Sequence, residues 1–192
     1  MGKHIIFLDI DGVLNSNHFY DNWYNILLHK ISKKYARSGT RMISKWRLLF
    51  ISILCKVKSC DIVLSTSWRA LWNDDMTPGK LTSAYKVDRL FKKWGLHLIG
   101  KTGRGVENPK YKPDKVEYPI RWEDQKYWRG TEILDYIDRH HLNIEDCIII
   151  DDEVRDIECY SILKDRIVET SYYQGIGGFG FKSFITALKI LK

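Results

Sequence analysis

The sequence has no C-x-x-C pair, no internal repeat and no low-complexity tract. Its four cysteines (Cys55, Cys60, Cys147 and Cys159) lack metal-binding spacing, which argues against a zinc site and for a reducing compartment. The longest apolar stretch, 43–55, is too short to span a bilayer and carries Lys45 and Arg47. The apolar run near the amino terminus is too short for a signal peptide, so the expected location is the cytoplasm. The six histidines are scattered, and the adjacent His140 and His141 do not present two ligands on one helix face. Proline is scarce, and three of the four prolines fall within 101–130. What remains is a chain of 192 residues, 44% hydrophobic and 29% charged, enough for one globular domain with a full core. The net charge of +7 favours acidic partners: nucleic acid, anionic lipid or phosphorylated protein.

Short β-rich runs alternate with helical patterns. Strands are expected at 4–9, 61–67, 96–100, 147–153 and 166–170. Helices are expected at 41–58, 82–95, 131–142 and 181–192. The first of these should turn Ile43, Trp46, Leu49, Phe50, Ile53 and Val57 to the core, and the third Ile133, Leu134, Ile137 and His141. Such alternation gives βαβ units and a mostly parallel sheet covered on both faces, an α/β three-layer sandwich of Rossmann-like type. The nearly continuous apolar runs IIFL, IVL and III suit its central strands. Residues 101–130 lack a clean period and read as a long loop or insertion. The segment GIGGFG (175–180) follows the last strand with no room for a further βαβ half, so it is a flexible loop rather than a dinucleotide fingerprint.

In such sheets ligands bind beyond the carboxyl ends of the strands. Asp9, Ser65 with Thr66, and Asp151 with Asp152 each lie where an expected strand runs out. Two carboxylates as close as Asp9 and Asp11 are costly to bury unless a positive charge sits between them. Asp9, Asp11, Asp151 and Asp152 suit a hard divalent cation such as Mg²⁺. One carboxylate is then free to be a nucleophile and another a proton donor. Ser65 or Thr66 is placed to donate to an anionic substrate oxygen, and Arg69 to touch the same substrate. A basic residue would complete the site.

The pattern resembles the haloacid dehalogenase (HAD) superfamily of aspartate-based phosphohydrolases. DIDGVLN matches its first motif, IVLS its second, and IIIDDEVRD its fourth, in order and each after an apolar strand. The resemblance implies that Asp9 attacks phosphorus, Asp11 is the general acid/base, Ser65 holds the phosphate, and Asp152 is a metal ligand with Asp156 in support. It places the third motif, a Lys or Arg before a helix, at Arg129 in YWRGTEIL, with Lys126, Lys115 and Arg121 as neighbouring competitors. Within the superfamily, LSTSWR and RGTEILDYI look like the HAD domains of "Swiss army knife" RNA repair proteins.

The resemblance implies one HAD-like domain over 1–192, with a squiggle- and flap-like segment and helix at 15–60, a loop insertion at 101–130, and a minimal cap or none. The implied activity is Mg²⁺-dependent phosphomonoester hydrolysis through an aspartyl-phosphate. An open site suits a phosphorylated macromolecule. The leading expectation is a phosphoprotein, phosphotyrosine included; the alternatives are a nucleic-acid end and a non-catalytic binding module.

Overall fold

The computed structural model describes residues 4–22, 43–106, 108–111, 113–114, 129–175 and 177–192. Five strands form one wholly parallel sheet: β1 (His4–Leu8), β2 (Cys60–Leu64), β3 (Leu98–Lys101), β4 (Cys147–Asp151) and β5 (Ile167–Glu169). Their order is β3-β2-β1-β4-β5, with β1 in the centre. Longer helices are α2 (Lys45–Lys58), α3 (Thr82–Lys93), α4 (Arg129–Arg139) and α7 (Phe181–Ile190). Shorter ones are α1 (Asn17–Asp21), α5 (Arg155–Glu158) and α6 (Ser161–Lys164).

The strands are apolar on both faces because helices cover both. Ile6, Leu8, Ile62, Leu64, Ile148 and Ile150 point to one side, where they meet α2, α3 and α7 through Leu48, Ile51, Leu54, Val87, Phe91 and Ala187. The alternate residues Ile5, Phe7, Val63 and Ile149 point to the other, against Ile133, Leu134 and Ile137 of α4, Ile157 of α5 and Leu163 of α6. This is the expected three-layer α/β sandwich.

Two expectations about helix faces are corrected. Trp46 is 74% exposed and Val57 62% exposed, and α2 instead buries Arg47, Leu48, Ile51, Leu54 and Cys55. The helix carries two overlapping apolar stripes, and the buried one contains an arginine that hides it from a pattern search. Arg47 donates to Ser16 Oγ at 2.7 Å and to the carbonyl of Gly177 at 2.9 Å, which makes its burial tolerable. Burial lowers its pKa to about 10. His141 lies beyond the end of α4, exposed and with a φ of 51°, in the turn that leads towards β4.

The glycine-rich segment before α7 is anchored rather than loose. Phe179 is fully buried and its N–H donates to the carbonyl of Val13 at 2.8 Å. Ile176 and most of the expected 101–130 insertion, including Lys112, Lys115, Arg121 and Lys126, lie outside the described residues.

Candidate active site

Parallel pairing aligns three strand ends. Leu8 is in register with both Leu64 and Ile150. The next residue on each strand is therefore Asp9, Ser65 and Asp151, three chemistry-bearing groups side by side. Backbone bonds carry the ladder one step further: Asp9 N–H donates to Ile150 O at 3.0 Å, and Ser65 N–H to Leu8 O at 3.0 Å. The sheet order makes this edge a topological switch point. From β1 the chain moves outward through β2 to β3, then returns to β4 on the other side. A crevice opens at such a point.

Arg129, the first residue of α4, reaches across this row. Its Nη1 lies 2.9 Å from Asp151 Oδ2 and 3.3 Å from Asp9 Oδ1, and it also donates to the carbonyl of Ser65. The Arg129 backbone N–H donates to Asp156 Oδ2 at 2.9 Å. A carboxylate thus satisfies an orphan amide at the positive end of α4 and fixes where the guanidinium starts. Asp156 accordingly supports the arginine here, rather than a cation ligand directly.

Oxygen atoms of Asp9, Asp151 and Asp152 lie within 4.8 Å of one another. Burial raises the Asp9 pKa against the pull of Arg129 and a hydrogen bond with Thr66. Asp151 is raised well above the ordinary carboxylate value by burial, with Asp9 adding repulsion against the pull of Arg129. Asp152, half-buried, is pushed up to about 6 by burial and then by Asp9. Burial pulls the Arg129 pKa down, but Asp151, Asp9 and Asp156 together carry it above its usual value. One guanidinium cannot balance four carboxylates, and a hard divalent cation with oxygen ligands fits the excess. The two oxygens of Asp151 already accept from Arg129 and from the Glu153 N–H, so Asp9 and Asp152 are the more available ligands. The Asp152 carboxylate sits where a Cβ on Gly12 would be, 2.0 Å from Cγ, and Gly12 itself has a φ of 72°. Glycine is therefore needed at that position twice over, for backbone and for space.

Asp11 is not part of the three-acid group. Its Oδ1 accepts from Asn15 Nδ2 at 2.7 Å and its Oδ2 from Trp68 Nε1 at 2.8 Å. Asn15 also accepts from the Gly12 N–H at 2.9 Å and donates to the Tyr20 hydroxyl at 2.9 Å. This clamp was missed by sequence reasoning. Asn15 closes the first motif, DIDGVLN, three residues past the turning Gly12, and that short polar contact was the available signal. Trp68 lies 57 residues from Asp11, and no local pattern couples them.

The Ser65 hydroxyl is fully buried and has no hydrogen-bond partner among the described residues. A buried orphan donor costs about 1–3 kcal/mol, and an anionic substrate oxygen is a suitable acceptor for it. Thr66 is equally buried, accepts from the Trp68 N–H at 3.3 Å, and bonds Asp9. Arg69 takes a different place from the acidic row. It makes a bidentate pair with Glu132 on α4, at 2.8 and 3.1 Å, and donates to Thr102 Oγ1 at 2.6 Å.

A five-stranded parallel sheet between helical layers, with acids at its central strand ends, defines an α/β protein of HAD-like fold. The chain belongs to one branch of that class: the family model for the HAD domain in Swiss Army Knife RNA repair proteins matches residues 5–177. No curated protein matches the chain, and no solved structure does.

Proposed function

We propose that this protein is a Mg²⁺-dependent phosphomonoesterase that removes phosphate from a nucleic-acid end. The observation that carries the reading is the row Asp9–Ser65–Asp151 with Arg129 laid across it. It supplies a nucleophile, a hydroxyl donor and a cation at one strand edge, where phosphoryl transfer needs positioning and charge stabilisation. The RNA-repair family supports a nucleic-acid end over a phosphoprotein, the expectation that led from sequence alone.

Asp9 Oδ attacks phosphorus and the bond from phosphorus to the ester oxygen breaks. Asp11 gives that oxygen a proton. Water then attacks the phosphorus of the aspartyl-phosphate, Asp11 takes the water proton, and inorganic phosphate leaves with Asp9 restored as a carboxylate. Arg129 offsets repulsion between Asp9 and the incoming phosphate, and Ser65 donates to a phosphoryl oxygen. Asp9 and Asp152 would hold Mg²⁺, with Asp151 the third carboxylate of the group, and the ion would supply further charge neutralisation.

The test is phosphate release with Mg²⁺ from 3′- and 5′-phosphorylated oligonucleotides, phosphopeptides and small phosphate esters. Release from oligonucleotide ends by the wild type, with Asp9→Asn slower by at least ~10³-fold, is the expected result. Turnover of phosphopeptides alone would return the substrate to protein. No turnover of any ester would leave the binding-module reading.

A further inference from the structure

Beside Asp152 the crevice widens into an open groove of about 1040 Å³. That is the upper end of small-ligand pockets, which run roughly 300–1,000 Å³, so it has room for more than a bare phosphate. It lies one strand along from the acidic row, beyond the carboxyl end of β5, and its walls are the 170–174 segment and the first turn of α7. Tyr173 is 81% exposed on one wall and Phe181 67% exposed on the other. Tyr172 packs edge-on against Tyr173 with ring centroids 4.8 Å apart, which steadies that ring.

The groove is tied to the site by hydrogen bonds. Thr170 Oγ1 donates to the carbonyl of Gly12 at 2.8 Å, the Asn17 N–H to the carbonyl of Tyr172 at 3.0 Å, and the Gly178 N–H to that of Ser171 at 2.8 Å. A substrate with its phosphate at Asp9 can lay its remainder here. Arg155 and Lys182 line the groove and can take backbone phosphates. Glu153 and Glu169 line it as well, and they repel a phosphate-dense duplex pressed along the groove. Exposed rings hold bases by stacking, and a stacked duplex has few free base faces to offer.

We infer that this groove is a subsite for the one or two unpaired nucleotides next to the terminal phosphate, held by stacking on Tyr173 and Phe181. The inference rests on the phosphatase reading and sharpens it: the preferred substrate is a single-stranded or frayed end. A blunt duplex end is a poor one.

The experiment compares kcat/KM for three substrates with the same terminal phosphate: a single-stranded tetranucleotide, the same strand with abasic residues at the two positions nearest the phosphate, and a blunt duplex. Both end polarities are used. Stacking is worth roughly 5- to 150-fold per base, so the base-bearing strand should exceed the abasic strand and the duplex by at least ~10-fold. Tyr173→Ala and Phe181→Ala, at positions outside the core, should erase most of that ratio. Equal efficiency on all three substrates, with p-nitrophenyl phosphate hydrolysed normally, overturns the groove alone. A ratio that survives both variants also overturns it, as does a Tyr173→Ala loss confined to phosphopeptides, which assigns the groove to peptide. If no ester is hydrolysed, the phosphatase reading fails. Fluorescence anisotropy with the same single strands then judges the groove separately: weaker binding by Tyr173→Ala supports it, and unchanged binding overturns it.

Discussion

At the scale of single residues, the proposed chemistry depends on groups outside the Asp9–Ser65–Asp151 row. Asn15 and Trp68 each donate to one oxygen of Asp11, so the proposed acid/base is held in one rotamer with its remaining lone pairs directed by two N–H groups. Losing either donor should cost more when the leaving oxygen needs a proton. Trp68→Phe and Asn15→Ala are expected to lower kcat by about 10–100-fold on alkyl phosphates, part of the ~10²–10⁴-fold that acid–base catalysis supplies. The loss on p-nitrophenyl phosphate should be smaller. A plot of log kcat against leaving-group pKa checks this: a steeper slope in the variants is expected, and parallel lines would assign the two residues to folding alone. Gly12 acts through space. Gly12→Ala should destabilise by about 1–2 kcal/mol from its left-handed backbone, with a further cost from displacing Asp152, measured by urea unfolding.

At the scale of elements, register does the aligning. A slip of one residue between β1 and either neighbour would break the row of Asp9, Ser65 and Asp151 and turn side chains to the wrong face. Much of this was legible in the sequence, because continuous apolar runs that end in acids or hydroxyls mark buried parallel strands whose ends line a crevice. The parts that were not legible have physical causes. Four-residue helices such as α5 and α6 are too short to show a period. The buried stripe of α2 includes Arg47, whose partners are Ser16 and Gly177, distant in sequence. Arg69 finds Glu132 63 residues away, so its pairing cannot be read locally. That pair joins the turn after β2 to α4, the helix that carries Arg129. Both side chains are largely buried, so Arg69→Met should cost about 3–5 kcal/mol by stranding Glu132, and Arg69→Met with Glu132→Met should cost less than the single change. Denaturant titration of both variants checks the order.

At the scale of the whole molecule, a sheet with β1 at its centre gathers charge of one sign on a protein whose net charge is +7. The acidic crevice is a local exception that suits a cation, and the basic surplus elsewhere suits a polyanion. Asp152 ties the crevice to stability. Its folded pKa of about 6 exceeds the ordinary 3.8, so the folded state binds more protons between those values. This group's contribution is therefore greatest below about pH 4 and is lost as pH rises through 6. A divalent cation favours the ionised form. Mg²⁺ should accordingly raise the unfolding temperature more at pH 7 than at pH 5, as calorimetry at both values would show, and an equal rise at both would separate Asp152 from the cation. The central claim is that Asp9 carries phosphate during turnover, and it is tested most directly by acid-quenching the reaction of wild-type protein, Mg²⁺ and an oligonucleotide with a ³²P-labelled terminal phosphate, followed by peptide mapping. The account predicts label on the peptide containing Asp9 and none in Asp9→Asn; phosphate release with label on another residue, or with no protein-bound phosphate at any time, would contradict it.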